Sequence, residues 1–150
     1  MNIHKDHILP PPLNALHILK DGDAFVVLDA NGNIPGTGMC QPHGLYIQDT
    51  RLLSQWQLAL VDGHMKLLRA HTDALHVQLS TYLTNDHFMD ADRRTVRADT
   101  LFFTRDKFVF DETLYMRLHV ENYNAHPVKL RFLHHFEADY ADIFQVRGLV

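Results

Sequence analysis

The chain has a single cysteine, a single tryptophan, seven glycines in 150 residues and no excess of basic charge. With Cys40 alone, an internal disulfide is excluded and nothing points to an oxidising compartment. No thiol-activating motif surrounds Cys40, so it reads as inert. A formal charge of -4 and a pI near 6.3 argue against nucleic acid or an anionic membrane as partner, because either calls for a basic face. No apolar run is long enough to span a bilayer. The polar start, Met1 to Pro12, lacks the apolar core of a signal peptide. A soluble, cytoplasmic protein is expected. Gly36-Thr37-Gly38 is too short and too isolated to cradle a phosphate. Sustained helical periodicity is also missing, and so are internal repeats.

What is present is alternation. At 150 residues the chain is long enough for one domain with a buried core. Residues 1–14 read as an extended arm, because Pro10-Pro11-Pro12 forbids helix. Residues 15–150 read as the folded domain. Leu16 to Leu28 is strand, turn, strand around Asp21-Gly22. Ile34 to Gly44 carries three glycines and two prolines and reads as a long loop. Apolar residues then alternate through Trp56-Leu58-Leu60, Leu75 to Leu83, Leu114 to Val120 and Val128 to Phe136. Asp62-Gly63 is a second turn signal. Leu101 to Phe110 looks like strand around a bend, and Asn85 to Asp99 like a solvated loop or short helix. Short strands with turn signals at ~8–12-residue spacing predict an all-β, antiparallel β-sandwich. The pattern is still strand-like at Val150, so a piece of a larger architecture, incomplete at its C-terminus, is expected. Uncovered edges and faces would drive such a piece to a homo-oligomer.

The densest chemistry lies in Phe136 to Gly148, where alternation stops at Asp139 and carboxylates, aromatics, an arginine and a glycine crowd one turn. Glu137, Asp139 and Asp142 could serve as a glycosidase acid pair, which needs two carboxyls ~5–9.5 Å apart. Turn capping by Asp139 or Asp142, or pairing with Arg147, is the plainer role. Asp142 and Arg147 are expected in charge-assisted contact, with Gly148 letting the backbone turn. Asp49-Thr50-Arg51 is the second candidate. A planar guanidinium beside a carboxylate suits a hydroxyl-rich ligand or a structural salt bridge equally. The 12 histidines invite a metal, but none stands at ligand spacing. His134 and His135 point to opposite faces of one strand, with His134 on the apolar side. No metal and no cofactor are expected.

Ile18 to Asp29, Gly44 to Ser54 and Glu137 to Gly148, taken in order, resemble the N-terminal domain of bacterial glycogen-debranching-type enzymes, the amylo-α-1,6-glucosidases. The resemblance implies a supersandwich-like β-domain placed before an (α/α)6 toroid that carries the catalytic acids. The chain itself would then be a non-catalytic module, with an α-glucan or oligosaccharide and the downstream toroid as partners. The alternatives are a free-standing carbohydrate-binding module or a structural piece without ligand. The resemblance carries Tyr46, Asp49, Thr50 and Arg51 over from one motif and Asp139, Asp142, Phe144 and Arg147 from the other, as substrate-rim or domain-interface residues. The family's usual glutamate is replaced by Gln145, which removes a charge.

Overall fold

A computed structural model describes residues 16–36 and 41–148. The proline-rich arm, Cys40 and the chain end at Val150 lie outside the described residues.

The chain is an all-β structure of antiparallel sheets, as the alternation predicts. Strands β1 (His17–Asp21) and β2 (Ala24–Leu28) form the hairpin expected at Asp21-Gly22. Strand β3 (Ile34–Pro35) is a two-residue pairing inside the segment read as loop. The stretch after it folds into a second hairpin, β4 (Gly44–Ile47) and β5 (Thr50–Leu53). Its turn residues, Gln48 and Asp49, have φ of 48° and 64°. That left-handed pair matches the twist of a two-residue hairpin, and asparagine or glycine would be its usual signal. Without that signal the turn is not visible in the sequence.

Strands β6 (Gln55–Leu60), β7 (Met65–Thr72) and β8 (Gln78–Asn85) follow. Asp62-Gly63 does turn the chain, but it moves it from one sheet to another instead of closing a hairpin. Leu75 lies in the turn before β8 and is exposed. The region 85–99 forms no helix. It carries the short pair β9 (Phe88–Met89) and β10 (Thr95–Val96). Two buried polar side chains organise it. Asn85 Oδ1 accepts from Thr100 N and Leu101 N, and its amide donates to Asp86 O and Arg97 O. Asp90 accepts from the backbone of Asp92, Arg94 and Lys129, tying the loop to the segment before the last long strand. A buried polar group is tolerated when its bonding capacity is met in this way.

Strand β11 (Leu101–Phe110) runs unbroken through Asp106, where a bend is expected from sequence, and pairs along its length with β12 (Thr113–Asn122). The break in apolar pattern at Arg105-Asp106-Lys107 is a change of chemistry on both faces, with Arg105 and Lys107 inward and Asp106 outward, while the backbone stays extended. Strand β13 begins at Phe132 and ends at Glu137, later than the alternation suggests. Strand β14 (Ala141–Asp142) and one helical turn, α1 (Ile143–Val146), finish the described chain.

The four-stranded sheet β12-β11-β8-β7 forms one layer. The five-stranded sheet β1-β2-β4-β5-β14 and the three-stranded sheet β13-β6-β3 face it. Leu19, Val26, Leu28, Ile34 and Trp56 pack against Leu79 and Val109 between the layers. A second cluster joins Leu60, Leu83, Phe88, Val96, Leu101 and Phe103. A third lies on the back of the five-stranded sheet, where Val27 and Tyr46 meet Ala141 and Val146. The C-terminal segment therefore clamps the outside of that sheet.

Candidate functional site around Arg51

The clamp brings together residues of both sequence motifs. Strand pairing sets Arg51 opposite Tyr46 on one side and Ala141 on the other. All three share the outer face, because directly paired residues point the same way. Arg51 is only 2% exposed. Its guanidinium forks onto the Asp139 carboxylate through Nε and Nη2, and its Nη1 donates to Gln41 O (2.8 Å) and His43 O (3.3 Å). Burial opposes the charge of Arg51, but the bonds to Asp139 outweigh it and raise its pKa. The same bonds hold the Asp139 carboxyl below its ordinary range. Asp139 also accepts from Ala141 N at 3.2 Å, so it caps its own turn.

Tyr46 stacks on Phe25 at 4.6 Å and donates to Pro42 O. Burial pushes its phenol pKa up. Gly44 has φ of +152°, and a Cβ there would meet Arg51 Cδ at 2.6 Å and Leu53 O at 2.8 Å. Glycine at this position lets the guanidinium pass. Its role is not legible in the sequence, which shows only a glycine at the end of a loop.

Asp142 caps α1 in a full capping box. Its carboxylate accepts from Phe144 N (2.8 Å), and Gln145 Oε1 accepts from Asp142 N (2.9 Å). Ile143 N donates to Asp49 O, which fastens the helix to the β4–β5 turn. Thr50 pairs with Asp142 in the ladder. Gly148 adopts the left-handed φ of +68° expected of it and follows Arg147, the helix C-cap. The expected contact between Asp142 and Arg147 is not what closes the turn. Arg147 makes no ion pair among the described residues, and the charge pair is Arg51–Asp139, 88 residues apart in sequence. The helix is one turn long, and its cap consumes Asp142.

Of the candidate residues, the structure gathers Tyr46, Arg51 and Asp139 into a closed structural lock. Asp49, Thr50 and Asp142 form its hydrogen-bonded rim, and Phe144 and Arg147 face outward. Arg51, with its donors turned inward, has no free fork for a ligand. The three carboxylates do not form an enclosed acid pair either. Asp139 is bound to Arg51, Asp142 caps a helix, and Glu137 meets His135 at 3.2 Å on an exposed strand. His134 is a correction to the sequence reading. It is exposed, accepts from Trp56 Nε1 and stacks on Phe136, because the core covers that side of β13 at Phe132, which packs on Phe103, and does not reach His134. No three histidine, cysteine, aspartate or glutamate side chains gather for a metal among the described residues.

His43 is the one group with buried, unpaired side-chain nitrogens among the described residues. Burial pushes its pKa down, and the charge of Arg51 adds to this against the pull of Asp29. The folded state therefore keeps His43 neutral, and its contribution to stability is lost as pH falls below the ordinary histidine range.

A family model described as the N-terminal domain of some glycogen debranching enzymes matches residues 19–150. The chain belongs to this family. No curated protein and no solved structure gives a significant match. In this glycogen debranching N-terminal domain the match spans every described strand from Leu19 onward and both halves of the Arg51 lock. The glutamine at 145 has a physical explanation here. A capping box needs an acceptor at the third helical position, and an amide oxygen serves as well as a carboxylate.

Proposed function

We propose that the domain is the non-catalytic N-terminal β-sandwich module of a glycogen-debranching-type glycoside hydrolase of cytoplasmic carbohydrate metabolism. In this reading it supports a downstream (α/α)6 catalytic domain and helps to shape its α-glucan site. The observation that carries the supporting role is the exposed apolar surface at the C-terminal end. Leu133, Phe136, Tyr140 and Phe144 are 58%, 55%, 69% and 53% exposed, on edge strand β13, in the loop after it and on the helix that follows β14, with Leu133 and Phe136 on opposite faces of the strand. Phe136, on the face it shares with Trp56, and Phe144 on the helix are large apolar side chains left open to solvent, and such side chains favour a partner face. The use of every candidate acid in a structural contact supports a module without its own hydrolytic centre. No helix among the described residues is long and apolar enough to cross a membrane.

The test is made in the intact debranching enzyme that carries this domain. Phe136→Ser with Phe144→Ser is expected to slow debranching and to make the domain separable by limited proteolysis. Phe136 stacks on Trp56 at 5.5 Å, so Phe144→Ser alone, at a residue more than half exposed, is the variant that should keep the unfolding midpoint of the isolated domain. Unchanged turnover and unchanged proteolysis would remove the supporting role. The isolated chain should release no glucose from an α-1,6-linked oligosaccharide. Turnover that disappears in Asp142→Asn would overturn this, since asparagine caps a helix as well as aspartate does and leaves the fold intact.

The same surface predicts self-association of the isolated chain. Strand β13 is an unpaired edge with apolar side chains beside it, and a symmetric dimer would bury both. Light scattering at high concentration should show a mass above 17.4 kDa that returns to the monomer value in the Phe136→Ser, Phe144→Ser variant. A wild-type chain that stays monomeric would contradict this.

A further inference from the structure

The outer face of the four-stranded sheet lies on the other layer of the sandwich from the Arg51 lock and is used by none of the contacts above. Its inward positions on β11 are Leu101, Phe103, Arg105, Lys107 and Val109, all buried. The outward positions between them carry a different chemistry. Phe102 stands opposite Glu121, and Thr104 lies between Tyr82 and His119. Asp106 lies between Ser80 and Arg117, and Phe108 between Gln78 and Tyr115. On β8, β11 and β12 no valine, leucine or isoleucine takes an outward position of this register. On these three strands the outward apolar surface is aromatic and everything else is polar, while on β7 the bulge leaves Leu68 exposed.

The aromatics are set at the two ends of a polar row. At one end Tyr82, Phe102 and Tyr123 line a shallow cleft of about 320 Å³ with Thr104 and Glu121 at its edge. Phe102 and Tyr123 meet edge to face at 5.5 Å, which fixes both rings. At the other end Phe108 and Tyr115 stack at 5.1 Å. Between them the polar row is braced. Ser80 donates to Asp106 at 2.6 Å, and Arg117 donates to Asp106 at 2.8 and 3.2 Å. From Phe102 to Phe108 the strand covers six residues, roughly 20 Å at the rise of an extended chain.

We infer that this face is a binding platform for a linear α-glucan chain, with Tyr82, Phe102 and Tyr123 as one sugar-stacking subsite and Phe108 and Tyr115 as a second. A pyranose ring has an apolar C–H face and a rim of hydroxyls. The C–H face lies on an aromatic ring, whose π-face is electron-rich, and the rim hydrogen-bonds to polar neighbours in the plane. Aromatic platforms ~20 Å apart with hydroxyl, carboxylate and guanidinium groups between them fit several successive sugars. The core of a protein interface is depleted of charged groups, so the braced polar row of Ser80, Asp106 and Arg117 between the rings favours a hydroxyl-rich ligand over a second protein domain. The choice of α-glucan among saccharides rests on the reading of the domain as part of a debranching enzyme. The site would hold the polymer while the catalytic domain works on another part of it.

The experiment uses the 150-residue chain with maltoheptaose in titration and with glycogen in affinity gel electrophoresis. Retardation by glycogen and saturable binding of maltoheptaose are expected. Tyr82→Ala and Tyr115→Ala should each weaken binding about tenfold or more. Both tyrosines are about two-fifths exposed, at 41% and 43%, so thermal melts of the two variants should match the parent. Ile18→Ser, at a half-exposed position on the outer face of the other layer, should bind as the parent does. Equal affinity of the tyrosine variants and the parent, or no retardation of the parent at any glycogen concentration, would overturn the platform. So would a finding that Tyr82→Ala loosens the attachment of the catalytic domain without any change in glucan binding, because the face would then be a protein interface. Failure of the platform leaves the supporting role standing, since that role is read from Phe136 and Phe144 in the intact enzyme.

Discussion

Asp139→Ala is expected to lower the unfolding free energy by ~3–5 kcal/mol, the range for stranding one partner of a buried ion pair. The reason is the asymmetry of the pair. Arg51 is 2% exposed on its side chain, whereas Asp139 is 28% exposed. Without Asp139 the guanidinium stays buried, with the Gln41 and His43 carbonyls as its remaining acceptors. Arg51→Met leaves a carboxylate that water can reach and two carbonyls without their donor, a loss of ~1–3 kcal/mol. Chemical denaturation of both variants gives the comparison, and a smaller loss for Asp139→Ala than for Arg51→Met would show that the pair is not the lock. Asp139 adds a pH dependence of known sign. Its carboxyl titrates below the ordinary aspartate value in the folded state, so its contribution is present at neutral pH and is lost as pH falls through that acid range.

The second large effect is expected at Lys107, inside the sandwich. This lysine is 2% exposed, donates to Gly32 O at 2.5 Å and stands 4.7 Å from the centre of the Trp56 ring. Burial, with the neighbouring charge of Arg105, pushes its pKa from 10.5 down to about 7. Between these values the unfolded chain carries a proton on Lys107 that the folded chain does not. Stability therefore rises with pH through that window, by about 2–3 kcal/mol between pH ~7 and pH ~9. The upper limit keeps the measurement below the range in which Tyr46, whose pKa is raised, would act with the opposite sign. Lys107→Met should remove the rise and be more stable than the parent near pH ~6 by ~1–3 kcal/mol, because a buried charge is replaced by an apolar chain of similar length. Urea denaturation across this range checks both statements. A parent curve that is flat with pH would mean that Lys107 is not charged at a cost in the fold.

The two cases have a common feature. Each buried cation is met by backbone carbonyls of a turn as well as by its neighbours. Lys107 and Arg105 together reach Gly32 O, Asn31 O and Asn33 Oδ1 in the turn after β2. Asp29 shapes that turn by accepting from Asn31 N and Asn33 N. The cations fix the turn against the opposite sheet, as Arg51 fixes the loop before β4 against the C-terminal clamp.

The sequence by itself determined the fold class and the place of the densest chemistry. Period-two alternation in Trp56 to Leu60 and Leu114 to Val120 has one physical outcome, a strand with one buried face, and both strands are where that pattern puts them. The Asp21-Gly22 signal closed its hairpin through the two-residue loop Gly22-Asp23, in which glycine supplies the left-handed φ. Gly148 is legible for the same reason. What the tertiary structure decided is everything that depends on partners distant in the chain. Arg51 and Asp139 are both visible as polar residues in a motif, yet local spacing favours Asp142 with Arg147, and only sheet pairing between β5 and β14 brings the real pair together. His134 sits on the apolar side of its strand by alternation, but whether that side is covered depends on another layer. Lys107 looks like an outward residue at a bend and is buried, because the strand runs straight through Asp106 and the turn after β2 offers the Gly32 carbonyl to its ammonium. The aromatic and polar face on the four-stranded sheet was equally hidden. Its residues come from three strands whose register, and so whose common face, is set by long-range hydrogen bonds that no local pattern encodes.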